Sequence, residues 1–143
     1  MKALFLEDLS VGQSAEIART VTDADVREFA HVSGDQNPVH VDEDYAAKTR
    51  FKGRVAHGML TGALISAVLG TRLPGPGGIY ISQSLKFRRP IRIGEEVMTR
   101  ATVTAIDPRR ALVTLATVCE VDGKRVADGE AVVLAPRRDG GAG

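Results

Sequence analysis

Residues 58–73, GMLTGALISAVLGTRL, are the stretch that decides the fold. From 58 to 71 they carry no charge, and their polar side chains are only Thr61, Ser66 and Thr71. A helix that is apolar nearly all round must be buried nearly all round, so this stretch predicts a central helix that needs a cover on every side. The run PGPGG at 74–78 ends it. The stretch also contains small residues that would let strands pack close to its backbone: Gly62, Ala63, Ser66, Ala67 and Gly70.

The segments that follow the central helix predict a sheet. They are rich in Val, Ile and Thr and partly alternate, over residues 78–87, 95–106, 111–121 and 125–135. Asp122-Gly123 is a strong two-residue hairpin signal, so the last three segments form an antiparallel meander. The sequence therefore predicts an α+β fold in which a curved antiparallel sheet wraps around the helix. One sheet covers only part of that helix and leaves edges, so we expect a partner subunit.

The N-terminal part of the chain predicts one strand and two short helices. Residues 15–21 suit a first strand, and residues 23–33 form an amphipathic helix capped by Thr22. Asp42 caps a second short helix, and residues 48–57 have no clear period, which predicts a loop.

Residues 33–40, SGDQNPVH, place a carboxylate and an imidazole between those two helices. Pro38 disfavours the α region at Asn37, so the run is expected to be an extended or turned loop. A stiff loop can hold Asp35 and His40 at a set separation, as acid–base chemistry requires. The alternative is a capping aspartate and a surface histidine. A metal site is disfavoured because the pair lacks a third and a fourth ligand.

Composition narrows the class of protein. The 143 residues suit one domain, expected at residues 1–136 with a flexible tail at 137–143. A net charge of +1, no Trp and 4% aromatic residues argue against nucleic acid and anionic membranes as partners. With one cysteine no intrachain disulfide can form, and the N-terminus does not read as a signal peptide. No apolar stretch reaches the length of a bilayer span, so we expect a soluble cytoplasmic protein.

Two motifs resemble one known family. The pattern FAxxSGDxNPVH over 29–40, followed by VAHGM at 55–59, resembles the MaoC-like, or (R)-specific enoyl-CoA hydratase, family. Residues 78–87 and 90–95 look like the third signature of that family, and the similarity runs from about residue 8 to 136. The resemblance implies the hot-dog fold, a curved antiparallel sheet around a long helix, usually paired as a dimer.

The resemblance also implies a reaction and its residues. Asp35 and His40 match the catalytic pair, which holds one water and adds it syn across a trans-2-enoyl-CoA to give an (R)-3-hydroxyacyl-CoA. Gly58 would donate its backbone N–H to the thioester oxygen, and Asn37 would support the loop or orient Asp35. No cofactor is implied, because the CoA belongs to the substrate, and a homodimer or a higher oligomer is expected.

One position departs from the family. Related hydratases often carry a serine about one turn into the central helix, where this chain has Ala63. This departure bears on substrate preference and turnover more than on reaction type. Two other functions stay open on the same fold: an acyl-CoA thioesterase, or a non-catalytic acyl-thioester-binding subunit of a hetero-oligomer. The residues do not decide the acyl chain length, the pathway, or CoA against acyl carrier protein as carrier.

Basic residues could meet the phosphates of CoA. Arg88, Arg89 and Lys52 are the candidates, although such charges also serve solubility on the surface of a sheet. His57 either makes a hydrogen bond near the substrate mouth or is a structural loop residue. Cys119 is expected to be a buried, inert thiol.

Overall fold

The structure is a computed structural model that describes residues 1–140. After a short 3-10 turn at Leu6–Asp8, the elements in chain order are β1 Ser14–Thr20, α1 Asp23–Ser33, α2 Pro38–Val41, α3 Glu43–Ala47, α4 Leu60–Thr71, β2 Ile79–Gln83, β3 Lys86–Phe87, β4 Glu96–Asp107, β5 Leu112–Val121 and β6 Lys124–Leu134.

The strands form one antiparallel sheet in the order β1-β4-β5-β6-β2, with β3 also paired to β6. The predicted meander is β4-β5-β6. Its last turn has positive φ at both Asp122 (52°) and Gly123 (76°), as a type I′ turn requires. The pairing shifts register in β4–β5 and again in β5–β6, and such irregularities bend and twist a sheet. The α+β hot-dog architecture is confirmed.

Helix α4 packs against β1, β4 and β5. Its side chains Ile65, Val68 and Leu69 are buried among those of the sheet, including Val97 and Leu115. The opposite side of α4 is exposed, as expected for a helix that one sheet covers only in part. Its exposed residues are small: Ala63, Ser66, Ala67 and Gly70.

The prediction of a single strand over 78–87 is wrong, because this segment forms two strands, β2 and β3. Between them the Ser84 N–H donates to the Glu130 carbonyl, and the Ser84 hydroxyl accepts from the Glu130 N–H. Here the backbone crosses β6 so closely that a Cβ on Gly129 would lie 1.8 Å from the Ser84 carbonyl oxygen. Only glycine permits this approach. The break between β2 and β3 thus depends on a tertiary contact, which the local sequence does not indicate.

The helix predicted over 23–33 is confirmed. Thr22 accepts a hydrogen bond from the Asp25 N–H, and the Asp25 carboxylate accepts one from the Thr22 N–H, which closes a capping box. The prediction of an extended or turned loop as far as His40 is wrong after Asn37. Proline favours the first position of a helix, and Pro38 opens the helical turn α2, which carries His40.

The chain ends are partly fixed to the domain. The Arg137 guanidinium donates to the carbonyls of Pro108 and Arg109, and the Arg138 N–H donates to Glu7. Residues 141–143 of the predicted tail lie outside the described residues, so the boundary at 136 stays a prediction. Within residues 1–140 no helix has both the length and the apolar character needed to cross a bilayer.

Candidate active site

Three ionisable side chains from separate parts of the chain meet at one place. Asp35 lies between α1 and α2, His40 lies in α2, and His57 precedes α4. One ligand-type atom from each lies within 4.8 Å of the others. The pair expected from the sequence is thus brought together, with a third group beside it.

Local turns shape the segment that holds Asp35. Gly34 ends α1 with φ of 80°, a left-handed conformation that glycine adopts easily. The Asp35 carboxylate accepts from the Asn37 N–H at 3.1 Å, and the Asn37 side chain accepts from the Val39 N–H at 3.3 Å. Asn37 therefore links the turn at Asp35 to the start of α2.

His40 is buried and has a defined tautomer. Its Nδ1 lies 2.7 Å from the Val55 carbonyl, which can only accept, so Nδ1 carries the hydrogen. Burial lowers the pKa of His40 below 6.5, its ordinary value, against the raising effect of the Val55 bond. The nearby His57 lowers this pKa further, and Asp35 raises it. In this neutral form Nε2 presents a lone pair, as a general base needs.

His57 is also buried, and it touches both members of the pair. Its ring stacks on that of His40 with centroids 3.8 Å apart, and Phe29 packs against it at 4.9 Å. His57 Nε2 lies 3.0 Å from the Asp35 carbonyl. From the sequence, His57 was either a hydrogen-bonding residue near the substrate mouth or a structural loop residue, although it lies within the VAHGM motif.

Arg54 also supports the site, in a role that the sequence did not predict. Its Nε donates to the His40 carbonyl at 2.7 Å, and its guanidinium pairs with Asp23 at 2.7 Å. A segment without helical or strand periodicity gives no local hint of such contacts.

The expected lack of a third metal ligand beside Asp35 and His40 is wrong, because His57 supplies a third potential ligand. The two imidazoles are stacked at an interplanar angle of 27°, so they lie nearly face to face and not edge to edge around one point. His40 Nδ1 and His57 Nε2 are also engaged with carbonyls. The arrangement suits proton transfer better than ion binding.

A cavity of about 350 Å³ opens at this cluster. His40, His57 and Gly58 line it together with basic and aromatic residues that include Arg50, Phe87, Arg88 and Arg89. Lys52 does not line it.

Gly58 lies in the turn just before α4, where its backbone faces this cavity. A Cβ at this position would come within 3.1 Å of the Phe87 ring. The Gly58 N–H has no acceptor within residues 1–140. This donor is therefore free to bind a ligand oxygen.

The departure at Ala63 lies away from this cavity. Ala63 lines a separate apolar groove of about 580 Å³ between α1 and α4. Thr61 is the α4 residue beyond Gly58 that lines the cavity at His40, apart from the groove at Ala63, and its hydroxyl donates to the Gly58 carbonyl at 2.6 Å. A hydroxyl thus supports the turn that presents the Gly58 N–H.

An antiparallel sheet partly covers one helix, and a carboxylate and two imidazoles meet beside a cavity, which is the arrangement expected of an acid–base enzyme. The family model described as "MaoC like domain" matches residues 9–125, and the chain belongs to this family. It is 54% identical to an (R)-specific enoyl-CoA hydratase from Rhodospirillum rubrum, over 94% of this chain and 93% of that protein. It is 47% identical to a 3-hydroxybutyryl-CoA dehydratase from Methylorubrum extorquens, over 97% and 88%. The solved R-hydratase PhaJ1 from Pseudomonas aeruginosa superposes with a TM-score of 0.91 at 47% identity, over 95% and 88%.

Proposed function

We propose that this protein is an (R)-specific enoyl-CoA hydratase that adds water reversibly and syn to trans-2-enoyl-CoA, giving (R)-3-hydroxyacyl-CoA. The observation that carries the proposal is the meeting of Asp35 and His40 beside a cavity that Gly58 also lines. The reactions named for the similar proteins support it.

The proposed chemistry uses one water held between Asp35 and His40. Neutral His40 Nε2, helped by the Asp35 carboxylate, accepts a proton as the water oxygen bonds to C3. The π electrons move toward the thioester carbonyl, whose oxygen takes up negative charge and accepts from the Gly58 N–H. The same proton then passes from the pair to C2, so water is added whole and the residues return to their starting state. Asn37 supports the loop that carries Asp35. No redox step occurs, and no cofactor beyond the substrate's own CoA is required.

The proposed site for the CoA phosphates is the basic side of the cavity. Arg88 and Arg89 are the predicted contacts that line it, and Arg50 adds a third cation. Arg88 also donates two hydrogen bonds of 3.2 Å to Asp128, which hold its guanidinium at the rim. Lys52 remains a candidate only for an outer part of the nucleotide.

The proposed assembly is a homodimer. Its support is the edge of the sheet at β2 and β3, where Ile79, Tyr80, Ile81 and Phe87 are exposed, together with the uncovered side of α4. The proposed compartment is the cytoplasm, in keeping with a buried free thiol at Cys119.

The test is hydration of crotonyl-CoA, followed as loss of the conjugated enoyl absorbance, with chiral analysis of the product. We expect the wild type to give the (R)-alcohol, and Asp35→Asn and His40→Gln each to lose at least about 100-fold in kcat. The matched controls are Asp44→Asn on α3 and His31→Gln on α1, both at exposed positions, and they should keep wild-type rates.

Other outcomes separate the alternative functions. Release of free CoA from an acyl thioester, without hydration, would favour a thioesterase. Binding of enoyl-CoA without turnover would favour a non-catalytic subunit. Activity that survives both Asp35→Asn and His40→Gln would overturn the assignment of the site.

A further inference from the structure

His57 contacts both members of the proposed catalytic pair through its side chain. It reaches them from a third segment of the chain, and its own peptide leads directly into Gly58. Only 2% of its surface is exposed, and its ring stacks on that of His40 and packs at a tilt against that of Phe29. Its position is therefore fixed by packing against two other rings.

The hydrogen bond from His57 anchors Asp35. A backbone carbonyl only accepts, so the hydrogen lies on Nε2, which donates to the Asp35 carbonyl at 3.0 Å. The other hydrogen bonds of Asp35 within residues 1–140 reach only Ser33 and Asn37, two positions away. The bond to His57 is thus the hydrogen bond that ties Asp35 to a distant part of the described chain.

The other ring nitrogen of His57, Nδ1, indicates that the imidazole is present for its Nε2–H donor. Nδ1 is buried and has no hydrogen-bond partner within residues 1–140. An unsatisfied buried polar atom destabilises a fold and calls for an explanation. An apolar ring would avoid this cost but could not donate to Asp35.

We infer that His57 is a positioning residue, which sets the separation of Asp35 from His40 through its Nε2–H bond and its stacked ring. This inference rests on the hydratase reaction proposed above. His57 need not touch the reacting atoms, because it acts on the main chain of one partner and on the ring plane of the other. Misplacing a reacting group by about 1 Å can cost on the order of 100-fold in rate.

Two substitutions separate the hydrogen bond from the packing. His57→Phe keeps a flat ring in contact with Phe29 and His40 but removes the donor. His57→Gln removes the ring but keeps an amide N–H that can reach the Asp35 carbonyl. With crotonyl-CoA we expect His57→Phe to lower kcat about 10- to 100-fold with KM within about threefold. We expect His57→Gln to recover kcat to within about fivefold of the wild type.

Several kinetic results would overturn the inference. These are wild-type kcat in His57→Phe, equal losses in the Phe and Gln variants, or a rise in KM with kcat unchanged. The last would make His57 a substrate contact. His31→Gln serves as the histidine control and should leave both constants unchanged.

A second measurement is independent of turnover. Nitrogen-15 NMR of the imidazoles, assigned with single histidine variants, reports which ring nitrogen carries the proton. We expect His57 as Nε2–H and His40 as Nδ1–H in the wild type. The His40 signal should stay in place in His57→Gln and shift or broaden in His57→Phe. A wild-type His57 protonated only on Nδ1 would refute the positioning role. If these signals behave as expected while no enoyl-CoA is hydrated, the proposed function fails and the positioning role stands.

Discussion

At the scale of single residues, Asp35 and His40 lie five positions apart in the sequence but in different environments. His40 is buried against the Val55 carbonyl, and desolvation lowers its pKa, whereas Asp35 is exposed in a turn. An imidazole held neutral keeps its lone pair at neutral pH, and an exposed carboxylate stays available to water. The division of roles follows from burial rather than from residue type.

The lowered pKa of His40 predicts how stability depends on pH. Its folded-state pKa lies below the unfolded value of 6.5, so at mildly acidic pH the unfolded chain binds more protons. The free energy of unfolding should therefore fall as pH drops below about 6.5 toward the lowered pKa. Urea unfolding between about pH 5 and pH 8 measures it. His40→Gln should flatten that slope, while His31→Gln should not. An unchanged slope in His40→Gln would contradict the prediction.

At the scale of elements, the break between β2 and β3 serves the site. The close crossing of Ser84 over Gly129 delivers β3, whose Phe87 ring packs against Gly58. Across the cavity the Val55 N–H donates to the Val39 carbonyl at 3.3 Å, which joins the segment before α4 to α2. The irregular segments around Ser84 and before α4 thus set the geometry of the site, while the β4-β5-β6 meander and α4 support it.

Gly129→Ala tests the strand crossing. The added Cβ would lie 1.8 Å from the Ser84 carbonyl oxygen, so β3 must move away from β6. We expect the free energy of unfolding to fall by about 1–3 kcal/mol, measured by urea denaturation. The control is Gly53→Ala, where a Cβ meets only side-chain atoms at 3.6 Å, an ordinary van der Waals distance. Gly129→Ala with wild-type stability would show that the crossing is not tight in solution.

At the scale of the whole molecule, apolar surface remains at one edge of the sheet and on the outer side of α4. Strand β2 pairs only with β6, so its other edge is free within the described chain. A second copy placed along this edge would extend the sheet and bring two α4 helices together. This is the surface from which a homodimer is predicted.

Ile81→Arg tests this assembly. Ile81 lies in β2 and is 53% exposed, and a guanidinium there would be buried without a partner in a dimer. By light scattering we expect the wild type at twice the chain mass of 15.2 kDa and Ile81→Arg near the single-chain value. Val11→Arg, at an exposed residue in a turn, should stay at the wild-type mass. A monomeric wild type would refute the dimer.

Much of this protein could be read from local patterns. The apolar run at 58–73 predicted α4, alternation predicted the meander, and Asp122-Gly123 predicted its hairpin turn. Thr22 and Asp42 marked the starts of α1 and α3, and Asp35 and His40 stood out by residue type. In each case the deciding interaction lies within a few residues, or along one face of one element.

Only the tertiary structure determined the features that depend on contacts between distant parts of the chain. The split of β2 from β3 needs the approach of Ser84 to Gly129, which are far apart in sequence. The Nδ1–H tautomer of His40 needs the Val55 carbonyl, and the tethering of Asp35 needs the imidazole of His57, 22 positions away. Residue type and spacing determine what a segment can form and which chemistry it can carry. Burial and distant hydrogen-bond partners exist only once the chain has closed, and they set the protonation and position of the groups that would act.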